Sequence, residues 1–445
     1  MPLKKIAMYN LADTRRDPRV RRIASALAKL GHEVRVFEFN PGYEPALEPM
    51  ERFTVCRVFA PFATRHRDMQ AIAELCPAAG DILDSLDQNL LHHKAGRIRM
   101  TFARGKRVLR RRWRRLRGHP ADALEDLRGG DRMLELRSLR LMMLNNLALA
   151  RATIAYEPDF IHCNDLNTLL AGFMVKQARH IPLIYDAHEI YAEQFPADQR
   201  SDRWHAFYTG LERKLIVHTN ARLTVCDAIG EYFQKQYGCG PVFTVRNMPS
   251  VKFLPPRTIL DRKVESPKFL YHGLFFAFRG LEEVIDSAAH LKDGQIYLRG
   301  MGYHEAALKQ RAIDKGVQDK VTFLPPVTVD ELVGTATGFD VGLNPFVSAC
   351  MNTAVCLPNK FFEYNMAGLA AACTNLVELS SHVKRYQLGV LFEPGSAEAL
   401  ANGLNSLASD RTQLQQYREN AYWSAYRELN WETERQKVGA VYKSL

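Results

Sequence analysis

The sequence predicts an α/β chain of two doubly wound domains facing a cleft, with a helical, basic insertion in the first domain. Three observations carry this. Short apolar runs rich in β-branched and aromatic residues alternate with helical patterns through both halves, and Gly closes some of the helices, which fits a parallel sheet covered on both faces. A polar, proline-marked stretch interrupts the alternation near the middle. A long segment, about 69–155, interrupts it in the first half and reads as helical throughout.

In the first half the strand candidates are Ile6–Tyr9, Val34–Phe39, Val55–Phe59, Phe160–Cys163, Leu183–Tyr185 and Leu223–Cys226. Helical patterns between them include Val20–Leu30, stopped by Gly31, and Leu166–Ala178. The second half repeats the scheme with strands Phe269–His272, Ile296–Arg299, Val321–Phe323, Val341–Leu343, Ala371–Thr374 and Val390–Phe392. Its helices are Leu281–Leu291, His304–Lys315, Val329–Ala336, Phe361–Ala367 and Ala397–Leu407. The linker is Asn247-Met248-Pro249-Ser250, then Pro255-Pro256 and a charged stretch to Pro267. Residues 1–248 and 249–425 are thus read as two domains. The tail, Gln413–Leu445, reads as helical, and residues 426–445 are expected to pack back across the first domain. In such sheets ligands bind beyond the carboxyl ends of the strands.

Composition narrows the class. At 445 residues, 47% hydrophobic and 24% charged, the chain has the makeup of a soluble globular protein with room for two or three cores. It contains no run of about 18 apolar residues, the length a spanning helix needs. The N-terminal MPLKKIAMYNLAD reads as a first strand, not a secretory signal. The eight cysteines are scattered without a Cys-x-x-Cys pair, so reduced thiols, a cytoplasmic location and no zinc site are expected.

The net charge of +11 is local. Arg97 to Arg117 holds eleven cations and no acid, which leaves the remainder near zero. Within it Leu109, Trp113 and Leu116 fall on one helical stripe, with Arg107, Arg110, Arg111 and Arg114 around them. A narrow apolar stripe bearing a Trp among cations suits an anionic membrane surface, and peripheral docking at the inner face of the membrane is the favoured reading. Nucleic acid, through phosphate contacts, is the lesser reading. A solvated helix pairing with Glu125, Asp126 and Asp131 is the structural one.

The segment Pro358–Gly368, PNKFFEYNMAG, is the most informative stretch. It sets Lys360 and Glu363 three residues apart at the start of a helix, behind a proline. A helix start offers free N–H groups and partial positive charge to a phosphate, and Lys360 adds a full charge. A carboxylate one turn in accepts from the paired hydroxyls of a sugar. Phosphate beside sugar points to a sugar nucleotide; an amphipathic helix with a Lys–Glu ion pair is the alternative.

The order of further motifs resembles the GT-B fold glycosyltransferases, specifically the family 4 retaining enzymes. DTRRDPRVRRIASALAKLGHEVRVF, IHCNDLNTLLAG and IPLIYDAHEIYAE resemble the acceptor domain. FLYHGLFFAFRGLEEVIDSAAHL, YLRGMG, VTFLPPV, FDVGLNPF and LPNKFFEYNMAGLAAACTN resemble the donor domain. The resemblance implies a GT-B fold of two Rossmann-like domains. It implies that Glu363 binds the nucleotide ribose and that Arg279, before Gly280, neutralises the leaving diphosphate. It also implies that His188 lies near the transferred sugar, and that Gly273, Asn359 and Lys360 line the donor site.

The chain departs from the pattern at three places. Val355 stands where the first glutamate of a pair belongs, so Asn352 or Thr353 is a candidate substitute for holding the sugar. Leu274 follows Gly273 where an arginine is usual, which throws more of the phosphate charge onto Arg279. The glycine-rich first loop is replaced by Asp13-Thr14-Arg15-Arg16-Asp17-Pro18-Arg19, so Arg15 and Arg19, with Glu189, are taken as acceptor contacts. His162 and Asp165 are read as capping the helix after their strand, and the structural rival for His188 is a core histidine bonded to Asp186.

These residues imply transfer of a sugar from a nucleotide sugar, a UDP- or GDP-sugar, to a glycan or lipid-linked acceptor in polysaccharide or glycoconjugate biosynthesis. No Asp-x-Asp pair occurs in the chain, so transfer is expected to need no metal or other cofactor, and the resemblance implies retention. His188 is read as positioning the sugar, not as a general base. A non-catalytic subunit of the same fold and a sugar-nucleotide epimerase are the alternatives.

Overall fold

A computed structural model describes residues 3–39, 46–58, 67–91 and 132–445 of the chain. The first sheet contains β1 (Lys5–Asn10), β2 (Glu33–Phe39), β3 (Ala46–Pro49), β4 (Thr54–Val58), β5 (Phe160–Asn164), β6 (Leu183–Ala187), β7 (Ala221–Thr224) and β8 (Phe243–Thr244). Their order is β3-β4-β2-β1-β5-β6-β7-β8, parallel except for the antiparallel β3–β4 pair. The second sheet contains β9 (Lys268–Leu274), β10 (Gln295–Met301), β11 (Val321–Leu324), β12 (Val341–Asn344), β13 (Ala370–Thr374) and β14 (Gly389–Phe392). Its order is β11-β10-β9-β12-β13-β14, all parallel. Each sheet reverses direction of winding beside its first strand, which opens a crevice at the carboxyl ends of the strands.

The apolar runs form these strands because both faces are covered. Ile6 to Tyr9 are fully buried, as are Phe269 to Tyr271, and neither run alternates with solvent. The two strands absent from the sequence reading are short edges. β3 carries Glu48 and ends on Pro49, a composition that discourages further pairing. β7 ends at Thr224, two residues before its expected end, because Cys226 starts the Asp227–Tyr237 helix.

The helices that aim the site are locally encoded. Asp17 caps the Pro18–Lys29 helix by accepting from the Arg19 and Val20 amides, and Pro18 stands at the first helical position. Of the expected insertion, the described parts are the helices Arg67–Leu75, Pro77–Leu91 and Arg132–Tyr156. The basic segment 97–117, with Arg107, Arg110, Arg111, Trp113 and Arg114, lies outside the described residues. Among the described residues no helix is long and apolar enough to cross a membrane.

The tail divides its packing between the halves. The Arg411–Arg427 helix lies on the second half, where Tyr422 donates to the Pro255 carbonyl. The chain then crosses over, and the Trp431–Lys443 helix buries Trp431, Val438, Val441 and Tyr442 in one cluster with Ile6, Met8 and Ile23 of the first half. At the crossing the Trp431 amide donates to the Pro249 carbonyl at 2.9 Å. Glu432 accepts from the Ser250 hydroxyl at 2.7 Å and from the Val251 amide at 2.9 Å.

Candidate active site

On the second half, the Asn359–Met366 helix starts behind Pro358. Asn359 is exposed at its first position, and Glu363 lies one turn in, only 9% exposed. The Glu363 Oε2 atom sits 2.7 Å from Nε2 of His272 on β9. Burial opposes the charge on Glu363, but the His272 bond, Arg22 and Lys360 together hold its carboxyl below the ordinary value.

Lys360 is not the ion-pair partner of Glu363 that an amphipathic helix would supply. Its Nζ lies 3.7 Å from the centre of the Tyr271 ring and 5.2 Å from that of Phe346. Burial, and then the charge of Arg279, push its pKa well below the usual lysine value. Gly273, at φ 140°, makes room: a Cβ there would stand 3.0 Å from the Lys360 Nζ atom.

Arg279 shares Phe346 with Lys360, its guanidinium 5.0 Å from the ring centre. The loop that delivers it is strained and tightly seated. Phe278 adopts φ 63°, which a bulky side chain rarely takes, and a Cβ on Gly280 would stand 1.6 Å from the Pro345 carbonyl oxygen. Among the described residues neither Arg279 nor Lys360 has a carboxylate within ion-pair distance. Two neighbouring cations without a counter-charge among the described residues have the chemistry to attract an anion.

On the first half, His188 follows β6 and is held from three sides. Its Nδ1 lies 3.2 Å from Asp165 Oδ2, and its Nε2 lies 3.2 Å from Asn164 Oδ1 and 3.6 Å from Asp186 Oδ2. Burial works against the imidazolium, but Asp165 and Asp186 outweigh it and raise the pKa to about 9. At neutral pH His188 is a cation and a donor. The Asp165 side chain makes no helix-capping bond, against the capping expectation; it also accepts the His188 amide at 2.9 Å. Asp165 takes φ 60° to do so, a second strained position in the cleft.

His162 likewise caps nothing. It is fully buried, with Nδ1 2.9 Å from the Tyr442 hydroxyl of the tail helix and Nε2 3.4 Å from Asp186 Oδ2. Arg19 departs from its expected place among acceptor contacts. It is 2% exposed and grips Asp186 with two nitrogens, Nε at 2.9 Å, while Nη1 donates to the Val245 carbonyl at 2.5 Å. The stripe Arg19-Val20-Ile23-Ala24-Leu27 turns inward, so Arg19 is part of the framework under His188. Arg15 pairs within its own loop, with Nε 2.9 Å from Asp13 Oδ1.

The halves meet around Glu189. Its carboxylate accepts from Gln194 and lies 3.4 Å from Asn352 Nδ2 of the second half. Burial, then the charge of Asp165, raise its pKa to about 7, with His188 and Arg279 opposing. Asn352 Oδ1 also accepts the Ile190 amide at 3.0 Å. Val355 stands at the same junction. Its carbonyl accepts the Cys226 thiol at 3.3 Å, and its side chain packs against an apolar cluster drawn from both halves.

Sequence reasoning missed His272 and Arg22 and read Asp165 only as a helix cap. His272 is the one polar residue in the run FLYHG, a visible signal in a strand buried on both faces. Arg22 lies in the charged first helix, donates to Asn247 Oδ1 at 2.5 Å and is within electrostatic reach of Glu363 across the cleft.

The two halves match separate family models. Residues 17–247 match a glycosyl transferase 4-like domain, and residues 257–423 match glycosyl transferases group 1. No protein of curated function matches the sequence. In three dimensions the chain is similar to sucrose-phosphate synthase (tll1590) from Thermosynechococcus elongatus, with a TM-score of 0.70 at 16% identity over 99% of this chain and 98% of that one. A glycosyltransferase from Rickettsia africae ESF-5 gives 0.61 at 12% identity over 100% and 99%. Anabaena Alr3699/HepE in complex with UDP gives 0.61 at 13% identity over 99% and 100%.

Proposed function

The chain belongs to the GT-B glycosyltransferases, with a glycosyl transferase 4-like domain followed by a group 1 domain, and from that premise we propose that it moves a sugar from a UDP- or GDP-sugar to a glycan or lipid-linked acceptor. The observation that carries the donor class is the unpaired cation couple, Arg279 and Lys360, beside the recessed carboxylate of Glu363. The first two suit a diphosphate and the third suits ribose hydroxyls. That Anabaena Alr3699/HepE was solved with UDP and with UDP-glucose supports the same class.

Cleaving the anomeric C–O bond loads negative charge onto the diphosphate while the sugar becomes cation-like. Fixed positive charge at the leaving group lowers that barrier most. Arg279, Lys360 and the N-terminus of the Asn359–Met366 helix supply it from side chains and backbone, in keeping with transfer without a metal. His188, a cation at neutral pH, has no free lone pair with which to take the acceptor proton. Its role is to position the sugar, and the departing phosphate takes the proton on the same face, so the anomeric configuration is retained. Arg15, Glu189 and Asn352 border the acceptor side. Docking of the arginine-rich 97–117 segment on an anionic membrane would bring a lipid-linked acceptor to the cleft.

A thermal-shift screen of nucleoside diphosphates and their sugars tests the donor class, since a ligand of the native state raises stability with the logarithm of its concentration over affinity. Uridine or guanosine diphosphate should raise the midpoint, and Glu363→Ala should remove the gain. No shift with either nucleotide, and no nucleoside diphosphate released from their sugars with lipid acceptor present, would overturn the reading. Flotation with anionic but not neutral vesicles tests the docking.

A further inference from the structure

We propose that His272 is a positioning residue that presents the Glu363 carboxylate to the ribose of the donor. The proposal rests on Glu363 being the ribose anchor, and the test below separates the two. His272 is only 2% exposed at the carboxyl end of β9, and its Nε2 lies 2.7 Å from Glu363 Oε2. Its backbone amide donates to the Tyr364 hydroxyl at 2.8 Å, and its ring lies 4.5 Å from the Tyr364 ring. The imidazole is thereby fixed against the same helix that carries Glu363.

A glutamate side chain has three rotatable bonds, and two cations, Lys360 and Arg22, lie within electrostatic reach of this one. Either could draw the carboxylate toward itself. The His272 bond holds Oε2 instead, and Oε1 is left without a protein partner among the described residues. Nε2 must carry the hydrogen, because an ionised carboxylate only accepts. Nδ1 is buried with no partner among the described residues, so the ring is a neutral imidazole. A neutral donor orients the carboxylate without cancelling the charge that makes it a strong acceptor for a ribose hydroxyl.

The test compares uridine and guanosine diphosphates with their 2′,3′-dideoxy analogues, by calorimetric titration of the full chain. Two variants of similar volume are used: His272→Gln retains a donor and His272→Phe does not. The wild type should bind the ribose form about ten-fold or more tightly than the dideoxy form, as expected for hydrogen bonds to a charged group. Glu363→Ala should abolish this preference. His272→Phe should lose most of it with Glu363 intact, and His272→Gln should recover it.

A merely structural His272 would weaken both nucleotides alike and lower the thermal midpoint with the ratio unchanged. That result, with Glu363→Ala losing the preference, would overturn the positioning role and leave the ribose anchor standing. An undiminished preference in Glu363→Ala would overturn the anchor, and the proposal with it.

Discussion

The side chain of Asn352, from the donor half, accepts the backbone amide of Ile190 in the acceptor half at 3.0 Å, and its Nδ2 lies 3.4 Å from Glu189. One short side chain thus contacts both walls of the cleft, alongside the Ala228 amide bond to Glu378 and a shared apolar cluster. Its helix, Met351–Ala354, is a single turn flanked by two further contacts to the first half, Cys350 Sγ to the Gln194 carbonyl and the Val355 carbonyl to the Cys226 thiol.

Asn352→Ala should loosen closure. Losing one such bond costs about 1 kcal/mol, so kcat/KM should fall about five-fold with little change in the thermal midpoint. Steady-state kinetics and small-angle scattering of the nucleotide-bound protein check this. Unchanged kinetics would reduce the contact to an incidental one.

Lys360 offers a sign that calorimetry can read. Burial and Arg279 depress its pKa in the free protein, and an anionic diphosphate would restore it. Nucleotide binding should therefore be accompanied by proton uptake. Titrations in buffers of different ionisation heat should show the uptake, and Lys360→Met should lose it. Arg279→Ala should lower kcat by about 100-fold or more, as for loss of a donor to a developing anion.

Arg19 and Arg15 should separate cleanly. Arg19→Ala leaves Asp186 buried without its partner and should cost about 3–5 kcal/mol of stability, read by denaturant unfolding. Arg15→Ala removes a pair that is 38% exposed on the arginine side and should leave stability nearly unchanged. An equal loss in both would contradict the framework role of Arg19.

His188 makes stability depend on pH in a defined direction. Its pKa stands at about 9 in the folded chain against an ordinary 6.5, so folding favours the proton. The contribution is complete below the ordinary value and is lost as pH rises through about 9. The midpoint difference between wild type and His188→Ala should be largest near about pH 6 and should shrink toward about pH 10. A difference that grows with pH would invert the assignment.

The twelve strands read from apolar runs all appear, because fully buried parallel strands announce themselves by continuous apolar stretches. β3 and β8 escaped since edge strands need no such run. The Glu363 helix was visible through its proline and spacing, whereas the partner of Glu363 lies 91 residues away and no local pattern connects them. Arg19 reads from sequence as an acceptor contact because a charged loop gives no sense of depth. Its apolar neighbours at helical spacing, Ile23 and Leu27, were the clue. Lys360 and Glu363 looked like an ion pair on spacing alone, and only the Tyr271 and Phe346 rings reveal why they are not one.

The polypeptide passes between the halves twice, and the two passages are stitched side by side where Trp431 meets Pro249 and Glu432 meets Ser250 and Val251. A single strap lets two bodies swivel about any axis. Two straps bonded side by side restrict that swivel. A cut between Arg427 and Trp431 would leave the passage at Pro249 as the one covalent link between the halves without removing any residue from the cleft.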